Sequence, residues 1–508
     1  MSLLNSIYLK VYSNFIKEID ITRNNPYAYQ EYWFKELIRR GANTAFGKEH
    51  NFDSIKNIDD FRRNVPILDY NATAPYINRL RNGEDYVLWD QKVRWYAKSS
   101  GTSADKSKYI PITPDSLQIN HFGGFKRMIA SYLHNNPKSN LYGGKALTLG
   151  GSVKPDISSN GNIFSGDLSA VLLKNSPSVV EFFRTPSRKS ALVEDFNTKL
   201  DLICKECSKQ NVTNFSGVPS WNLILLRRIL EYTGKDNICQ VWPNMELFMH
   251  GGIGFEPYRE VYNSIIPSSN MHYLENYNAS EGYFAFQDNE NVKAMLLTVN
   301  NGIFYEFIPM DILDDVLSGK ERNIATLKDV KPGVNYAIVL STVGGLWRYL
   351  IGDCVQFVSV LPHRLIITGR TQLFINAFGE ELMISNAENA ITATCREFKC
   401  NIKDFTAAPV FVKESSKGYH KWVVEFSTPP ANIDEFAKAL DVALTNVNSD
   451  YEAKRKNNAT MLPLELVAVP EGTFFKWMHL RGKLGGQNKV PRLYKDLTYV
   501  NSLLELID

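Results

Sequence analysis

Four short stretches of the chain carry residue types that bind phosphate, metal and ribose. The first is SSGTSADKSK, in which hydroxyls and a glycine fall within five positions, from Ser99 to Ser103. Small residues let the backbone approach a ligand, and the hydroxyl and N–H groups of such a loop donate to phosphate oxygens. Ser/Gly/Thr-rich segments are also ordinary polar linkers. Taken alone, this stretch favours a surface turn over a phosphate site.

The second stretch, ENYNASEGYF, places Glu281 directly after Ser280 among aromatic residues. A buried carboxylate is costly unless it is paired or bound to a metal. Mg²⁺ on a nucleotide takes one or two carboxylates together with phosphate oxygens. Glu281 is therefore a candidate magnesium ligand. A glutamate that accepts backbone hydrogen bonds at a strand end explains the pattern equally well.

The third stretch, GGLWRYLIGDCV, places Asp353 after Gly352 at an expected strand-to-turn junction. A carboxylate there could accept hydrogen bonds from both hydroxyls of a ribose. An ion pair with Arg348, or an Asx-turn, is the structural alternative.

The fourth stretch, RGKLGGQNKVPRL, carries Lys483, Lys489 and Arg492 among glycines. Such a loop is usually solvated basic surface. The functional interpretation is a mobile lysine that stabilises developing negative charge when a small domain closes.

The elements that must position these stretches alternate between strand-like and helix-like patterns. This alternation predicts an α/β fold with at least one substantial sheet. The first ninety or so residues look helical, and the segment SWNLILLRRILEYTG predicts a helix capped by Ser220 and stopped at Gly234. Beyond Gly379 the pattern changes to a compact α+β unit. We therefore expect a large N-terminal domain, 1–379, and a small C-terminal domain, 380–508.

Composition and missing motifs exclude several classes of protein. The formal charge of the 508 residues is +3, which does not favour nucleic acid as a partner. Apolar runs are too short to span a membrane, and the six cysteines suggest reduced thiols of a cytoplasmic protein. The chain has no P-loop, HExxH or GxSxG motif, and GGIGFEP lacks the third glycine of a dinucleotide-binding fingerprint. A zinc enzyme, a serine hydrolase and a Rossmann dehydrogenase are therefore disfavoured.

The four stretches, in this order, resemble the acyl-acid–amido synthetases known from plants as auxin-responsive Gretchen Hagen proteins, part of the adenylate-forming superfamily. The chain looks more like their shorter bacterial members. The resemblance extends over nearly the whole chain through TAFGKEHNF, SSGTSADKSKYIPIT, GVPSW, WPNMELFMHGGIGFEPYR, YNASEGYFAF, FYEFIP, LWRYLIGD and GGQNKVPR. It implies an N-terminal adenylation domain, with sheets flanked by helices and a β-barrel-like part, and a small mobile C-terminal lid.

The resemblance also implies roles for individual residues. The ATP phosphates would be held by Ser99, Ser100, Gly101, Thr102 and Ser103.

The remaining nucleotide contacts implied by the family come from the other three stretches. Tyr277 and Ser280 would lie at the adenylate, Glu281 would ligate Mg²⁺, Asp353 would bind the ribose, and Lys489 would reach the phosphates during adenylation.

Three further positions match family segments. Gly251 and Gly252 fall in a segment that lies near the adenine, and Arg127 matches an arginine that lines the acyl pocket in some plant members. The chain departs from the plant pattern at the hinge, where Glu380 and Glu381 replace a frequent lysine, and at Asn276, where many members have threonine.

The activity that the resemblance implies is an ATP-dependent ligase acting in the cytoplasm as a monomer. It would adenylate a small carboxylic acid with ATP and Mg²⁺ and pass the acyl group to an amino acid, releasing AMP and pyrophosphate. An acyl-CoA ligase and a non-catalytic nucleotide-binding protein are the alternatives.

Overall fold

The structure is a computed structural model of the 508-residue chain. It describes residues 3–99, 108–155, 163–322, 324–371, 375, 377–378, 380, 382–411, 418–455, 461–483, 489–494 and 496–507. The chain divides into two compact units: the first unit comprises Met1–Ile253, Glu260–Ile351 and Gln356–Ile366, and the second unit comprises Gly254–Arg259, Gly352–Val355 and Ile367–Asp508. The boundary predicted at Gly379 lies outside the described residues and stays a prediction.

The α-helices within the described residues begin and end as follows: α1 Leu3–Asn24, α2 Pro26–Gly41, α3 Ala45–Glu49, α4 Ile58–Asn64, α5 Tyr70–Arg81, α6 Phe122–Asn135, α7 Leu168–Asn175, α8 Arg188–Ala191, α9 Phe196–Cys207, α10 Pro219–Thr233, α11 Ile238–Val241, α12 Arg259–Ile265, α13 Leu313–Leu317, α14 Ile384–Phe398, α15 Ile433–Val447, α16 Ser449–Arg455, α17 Thr473–Leu480 and α18 Thr498–Leu504. One π-helical segment, Ser116–His121, leads directly into α6.

The predicted cap of α10 is wrong in one detail. Its C-terminal cap is Gly234 at φ +64°, as the sequence indicates, but its N-cap is Val218 and not Ser220. Pro219 occupies the first turn, where a fixed φ favours the helix and the missing N–H needs no partner. The proline thus starts the helix ahead of the serine.

The strands are β1 Trp95–Ser99, β2 Lys108–Ile112, β3 Lys145–Thr148, β4 Val153–Pro155, β5 Phe164–Gly166, β6 Arg184–Thr185, β7 Val212–Gly217, β8 Leu247–Gly251, β9 His272–Ala279, β10 Gly282–Phe286, β11 Met295–Leu297, β12 Ile303–Pro309, β13 Ala325–Thr326, β14 Asn335–Thr342, β15 Tyr349–Val360, β16 His363–Arg370, β17 Asn401–Phe411, β18 Gly418–Thr428 and β19 Glu465–Val469.

In the part of the chain that the structure describes, a twelve-stranded sheet runs in the order β13-β12-β14-β15-β16-β11-β10-β9-β8-β7-β3-β6. Its β6, β3, β7, β8 and β9 are parallel to one another, and β10 turns back antiparallel to β9. A four-stranded sheet, β2-β1-β5-β4, accompanies it. The predicted α/β class is confirmed. The parallel block matters for function because ligands of α/β sheets bind at the carboxyl ends of such strands.

A buried aromatic cluster holds the N-terminal helices against the sheet. Trp347 is 1% exposed, and its ring meets Phe52 edge-on with 4.7 Å between centroids. Its indole N–H donates to the Leu88 carbonyl at 3.0 Å. A Cβ atom on Gly41 would lie only 2.6 Å from the Trp347 ring, so this glycine is required by close packing. The first part of the LWRYLIGD stretch, residues 346–351, is therefore anchored in the core of the first unit.

The second unit has its own sheet and core. Strands β17, β18 and β19 pair in that order, with β17 antiparallel and β19 parallel to β18. Helices α14 and α15 contact each other. Trp422, Phe405, Phe436 and Leu440 are fully buried in the cluster that they share. The predicted small α+β architecture of the C-terminal region is thus present.

A buried ion cluster in the first unit gives a stability prediction. The side chain of Glu306 is 1% exposed, and its carboxylate accepts from Arg62 at 3.0 Å and from Arg348 at 2.8 Å. Glu306→Gln would leave two arginines facing a neutral amide. Breaking a buried ion pair costs about 3–5 kcal/mol. We expect a loss of that order in the free energy of unfolding, measured by urea denaturation.

A surface pair supplies the control. Lys35 and Glu31 form an ion pair one helical turn apart, with side chains 67% and 58% exposed. Glu31→Gln should leave the free energy of unfolding nearly unchanged, because solvent screens an exposed ion pair. Equal losses in the two variants would contradict the assignment of Glu306 to a buried cluster.

Within the described ranges, no helix has the length and apolar character needed to cross a membrane. The six cysteines are free thiols. Burial raises the pKa of Cys204 to about 11 and that of Cys207 to about 12, so the CxxC pair is protonated and packs as an apolar pair.

Candidate active site

Strand register brings the HGG segment, residues 250–252, beside the YNASE segment, residues 277–281, at the carboxyl edge of the parallel strands. Gly217 of β7 pairs with His250 of β8, and Gly251 of β8 pairs with Asn276 of β9. The HGG segment therefore lies beside the YNASE segment, although more than twenty residues separate them in the chain. Adjacent parallel strands that end at one edge form the place where α/β proteins bind ligands.

The two glycines of the HGG segment are required by geometry. A Cβ atom on Gly251 would lie 2.3 Å from the backbone oxygen of Asn276, which is closer than atoms can approach. Gly252 has φ +87°, in the left-handed region that glycine adopts without cost. Together the two glycines leave the carboxyl end of β8 free of side chains. A flat ligand group such as adenine could approach the backbone there.

Glu281 lies in a two-residue turn between β9 and β10. Ala279 pairs with Gly282, so Ser280 and Glu281 alone form the connection. Ser280 is 7% exposed and Glu281 is half-buried. The turn fixes the Glu281 backbone at the carboxyl edge of β9, directly after the last parallel strand of the block.

Tyr277 is packed rather than exposed. It is 4% exposed, and its ring meets Phe284 edge-on with 4.7 Å between centroids. This packing holds the Tyr277 ring rigidly at the carboxyl end of β9.

The serine-rich loop falls only partly within the structure. Ser99 ends β1 and pairs with Lys108 at the start of β2. Ser100, Gly101, Thr102 and Ser103 lie outside the described residues, so the predicted phosphate contacts remain predictions. Lys108 lies over the Tyr70 ring, 5.6 Å from its centroid.

Arg127 lies on α6 with its guanidinium bonded inside the protein. Nε and Nη2 donate to the Glu18 carboxylate at 3.0 and 2.6 Å, and Nη2 also donates to the Asn300 carbonyl at 2.8 Å. The residue is 9% exposed. Its bonds tie α6 to α1, and its predicted contact with the acid remains a prediction.

The other two predicted polar residues belong to the second unit. Asp353 lies inside strand β15, so the expected strand-to-turn junction is wrong. It forms an ion pair with Arg370 at 3.0 Å. Arg348, the partner considered from the sequence, instead bonds Glu306. The next residue after Arg370, Thr371, donates its backbone N–H to the Gly352 carbonyl at 2.8 Å. Asp353 is thus held by a charged neighbour that sequence spacing did not indicate.

Lys489 is electrostatically coupled to the same pair. Desolvation by the surrounding chain and the charge of Arg370 lower the pKa of Lys489 to about 8, and Asp353 opposes this shift. The Lys489 side chain is nevertheless exposed, so solvent screens these charges, and the downward direction of the pKa shift is the firmer result. The second unit thus brings Asp353, Arg370 and Lys489 into one charged group.

Arg492 anchors the segment that carries Lys489. It is 6% exposed, donates to the Tyr258 hydroxyl at 3.1 Å and lies 4.5 Å from the Phe405 ring centroid. The backbone N–H of Ala407 donates to the Arg492 carbonyl at 2.9 Å. Arg492 is therefore structural, whereas the sequence suggested only basic surface.

The hinge glutamate also has a structural partner. Glu380 is fully buried, and its carboxylate lies 2.8 Å from the ring of His420, which is equally buried. It also accepts the backbone N–H of Phe378 at 2.7 Å. Glu380 thus fixes the backbone at the hinge, where plant members often have a lysine. Glu381 lies outside the described residues.

The residues fit a magnesium ion that arrives on a nucleotide. Among the described residues, no group of three or more His, Cys, Asp or Glu side chains could form a metal cage. Nucleotide-bound Mg²⁺ needs only one or two protein carboxylates, because phosphates and water supply its other ligands. Glu281, a half-buried carboxylate in a fixed turn, meets that requirement.

Comparison with known proteins places this arrangement in a class and then in a family. The chain has the fold of adenylate-forming ligases: a 2-hydroxyisobutyryl-CoA ligase solved in a postadenylation state is 12% identical and superposes with a TM-score of 0.59, covering 96% of this chain and 94% of that one. AtGH3.15 acyl acid amido synthetase, solved in complex with 2,4-DB, is 18% identical, with a TM-score of 0.77 over 97% of this chain and 96% of that one.

Family models then match almost the whole chain. The GH3 family N-terminal domain matches residues 15–271, the central domain 296–370 and the C-terminal domain 385–498, so the chain belongs to the GH3 family. Indole-3-acetic acid-amido synthetase GH3.3 of Arabidopsis thaliana is 23% identical over 97% of this chain and 92% of its own length. The resemblance inferred from sequence is confirmed, and the chain is a ligase of the adenylate-forming class.

Proposed function

We propose that the chain is an ATP-dependent acyl acid amido synthetase that joins a small carboxylic acid to the amine of an amino acid. The observation that carries the proposal is the convergence of Gly251, Gly252, Tyr277, Ser280 and Glu281 at the carboxyl edge of adjacent parallel strands. At that edge the two glycines leave the backbone open to a ligand, Tyr277 supplies a rigid aromatic ring, and Glu281 supplies a carboxylate in a tight turn. These are the features needed to hold a nucleotide and its metal.

The first step activates a carboxylate, which is a poor electrophile at neutral pH. One oxygen of the acid attacks the α-phosphorus of ATP, and the bond to pyrophosphate breaks, giving an acyl adenylate. Glu281 would hold Mg²⁺, which when bound would neutralise charge on the phosphate oxygens. Lys489 would place a further positive charge at the developing negative charge.

The remaining predicted residues orient the nucleotide. Asp353 would accept hydrogen bonds from the ribose hydroxyls, and its ion pair with Arg370 holds the carboxylate in position for that task. Ser99, Ser100, Gly101, Thr102 and Ser103 would donate to the phosphates. Gly251 and Gly252 would leave room for the base, and Arg127 would lie toward the acid.

The second step forms the amide. The neutral amine of an amino acid attacks the adenylate carbonyl carbon, the bond to the adenylate oxygen breaks, and AMP leaves with that oxygen. No covalent enzyme nucleophile is required. A small C-terminal lid, proposed as residues 380–508, would move between the two steps and keep water from the mixed anhydride. We propose that the enzyme acts as a monomer in the cytoplasm, a compartment in which free thiols persist.

The lowered pKa of Lys489 predicts an alkaline loss of adenylation. An ammonium with a pKa of about 8 in place of 10.5 loses its charge as pH rises through 8. We expect the kcat/KM of acid-dependent ATP–pyrophosphate exchange to fall above about pH 8, since this rate constant reports the free enzyme. Lys489→Arg keeps a charge through this range and should move the fall to higher pH. An identical alkaline limb in both proteins would contradict the assignment.

A screen for AMP release tests the proposed function. The protein is mixed with ATP, Mg²⁺, a panel of carboxylic acids and pooled amino acids. The products are then identified by mass spectrometry. An amide together with AMP is the expected result. A thioester formed only when CoA replaces the amino acids would establish a CoA ligase instead. ATP binding without AMP from any acid would establish a non-catalytic nucleotide-binding protein.

A further inference from the structure

A buried histidine lies beside the β9–β10 turn with one ring nitrogen uncommitted. His121 is 2% exposed, and its Nδ1 lies 3.2 Å from the Oδ1 of Asn278. Asn278 is in β9, two residues before Ser280. Within the described residues, the His121 Nε2 is buried and has no hydrogen-bond partner. A buried polar atom left unpaired is costly, so such an atom at a ligand site needs an explanation.

The backbone holds this imidazole firmly in place. His121 ends the π-helical segment Ser116–His121, a form of helix that is frequent at functional sites. The preceding residue, Asn120, accepts the Tyr283 backbone N–H at 2.6 Å. Tyr283 pairs with Asn278 across the β9–β10 hairpin. The histidine is thus fixed from two strands of the candidate site.

The protonation of the ring decides what it can recognise. Burial lowers the pKa of His121 to about 4, so the ring is neutral at physiological pH. Nδ1–H donates to the Asn278 oxygen, and Nε2 is then a hydrogen-bond acceptor. An acceptor selects a ligand group that carries O–H or N–H.

We assign the acyl part of the acid to this position. Its carboxylate has to reach the α-phosphorus at the Glu281 turn, and His121 is bonded to the strand that leads into this turn. Arg127, the polar residue of α6 predicted from sequence, already bonds Glu18 and Asn300. Its Nη1 is buried near Gly123, a Cβ atom on which would lie 2.9 Å away. The Nη1 of Arg127 is likewise buried without a partner among the described residues, but a guanidinium only donates. Of the two side chains, His121 is the one that can accept a hydrogen bond from the acyl part of the substrate.

We propose that His121 is a specificity residue whose Nε2 accepts a hydrogen bond from a hydroxyl or N–H group on the acyl part of the acid. The substrate class is then a carboxylic acid that carries such a donor. This inference rests on the proposed function. A site built around an acceptor discriminates against the isostere that lacks the donor, because the acceptor is then left unpaired.

Matched pairs of acids test the inference. We would measure AMP release with 4-hydroxyphenylacetate against phenylacetate, and with indole-3-acetate against 1-benzothiophene-3-acetate. In the wild type, the donor-bearing acid of the productive pair should have a kcat/KM about 10-fold or more above that of its isostere. His121→Leu should abolish this preference by lowering only the donor-bearing value. His121→Gln, whose amide oxygen can accept, should restore part of it.

His363 provides a matched control. It is 3% exposed, its Nδ1 is likewise buried without a partner among the described residues, and burial lowers its pKa to about 4 as well. Its Nε2 lies 3.1 Å from the Leu327 carbonyl, outside the YNASE hairpin. His363→Leu should leave the preference unchanged, so a general effect of losing a buried histidine is separated from recognition.

A measurement on the wild type does not depend on the variants folding. With ¹⁵N-labelled histidine, the Nε2 resonance assigned to His121 should shift when the donor-bearing acid is added with ATP, and not with its isostere. Equal use of both acids in every pair, or a preference that persists in His121→Leu, would overturn the inference while the proposed function stands. No AMP from any acid with the wild type would overturn both.

Discussion

Glu281→Gln should reduce acid-dependent ATP–pyrophosphate exchange to below about 1% of the wild-type rate. The substitution keeps the shape of the side chain and removes the charge that would hold Mg²⁺ on the phosphates. Removing one group that stabilises charge in the transition state costs about 10²–10³-fold in rate. The fold should survive, because Glu281 is half-buried in a two-residue turn and not part of the core. Exchange and thermal unfolding are measured on the same preparation.

A second glutamate downstream of the hairpin controls for charge. Glu290 lies beside His272, with the carboxylate 2.6 Å from the ring, and its side chain is 46% exposed. Glu290→Gln should leave exchange within about twofold of the wild type, as expected for an exposed charge. If the two variants retain equal activity, Glu281 does not hold the metal.

Lys489→Ala should slow adenylation about 100-fold while changing the dissociation constant of ATP by less than about threefold. A charge that meets the phosphates mainly as negative charge develops contributes to the rate more than to ground-state binding. Rapid-quench measurement of acyl-adenylate formation gives the first value. Equilibrium titration with ATP in the absence of acid gives the second.

Lys483 offers the matched lysine in the same C-terminal stretch. It lies six residues earlier, directly after the Gly482 turn. Lys483→Ala should leave both the adenylation rate and ATP binding unchanged. If Lys489→Ala weakens ATP binding as much as it slows adenylation, the lysine acts on the ground state and not on the transition state.

The sequence predicted the elements of the site better than their partners. The sequence allowed for Glu281 at a strand end, and the structure places it in the two-residue turn between β9 and β10. Positive φ at Gly252 and close approach at Gly251 explain why glycine occurs there, and the motif already indicated both residues. Local sequence patterns are sufficient to predict a site residue where the local backbone geometry determines the residue type.

Partners that are distant in the chain could not be predicted in the same way. Asp353 pairs with Arg370 rather than with Arg348, because Glu306 takes Arg348 into a buried cluster. No rule based on sequence spacing predicts that Arg348 pairs with Glu306 and not with Asp353. The N-cap of α10 is Val218 and not the predicted Ser220, because Pro219 starts the helix. This reason is local and was visible in the sequence.

His121 lacked any sequence signal. A lone histidine in SLQINHFGG has no spacing partner, and its importance arises only when the π-helical segment places it against Asn278. The serine-rich loop presents the opposite case. Its family resemblance is specific, but Ser100 to Ser103 lie outside the described residues, and their contacts stay predictions.

Transfer of ¹⁸O from the acid to AMP tests the central claim most directly. A productive acid labelled with ¹⁸O in its carboxylate is incubated with the enzyme, ATP, Mg²⁺ and an amino acid. Attack on the α-phosphorus followed by amine attack on the carbonyl leaves one carboxylate oxygen on AMP. We predict AMP that is heavier by one ¹⁸O and an amide that retains one label. Label in inorganic phosphate with ADP as the nucleotide product, or unlabelled AMP, would contradict adenylation of the acid.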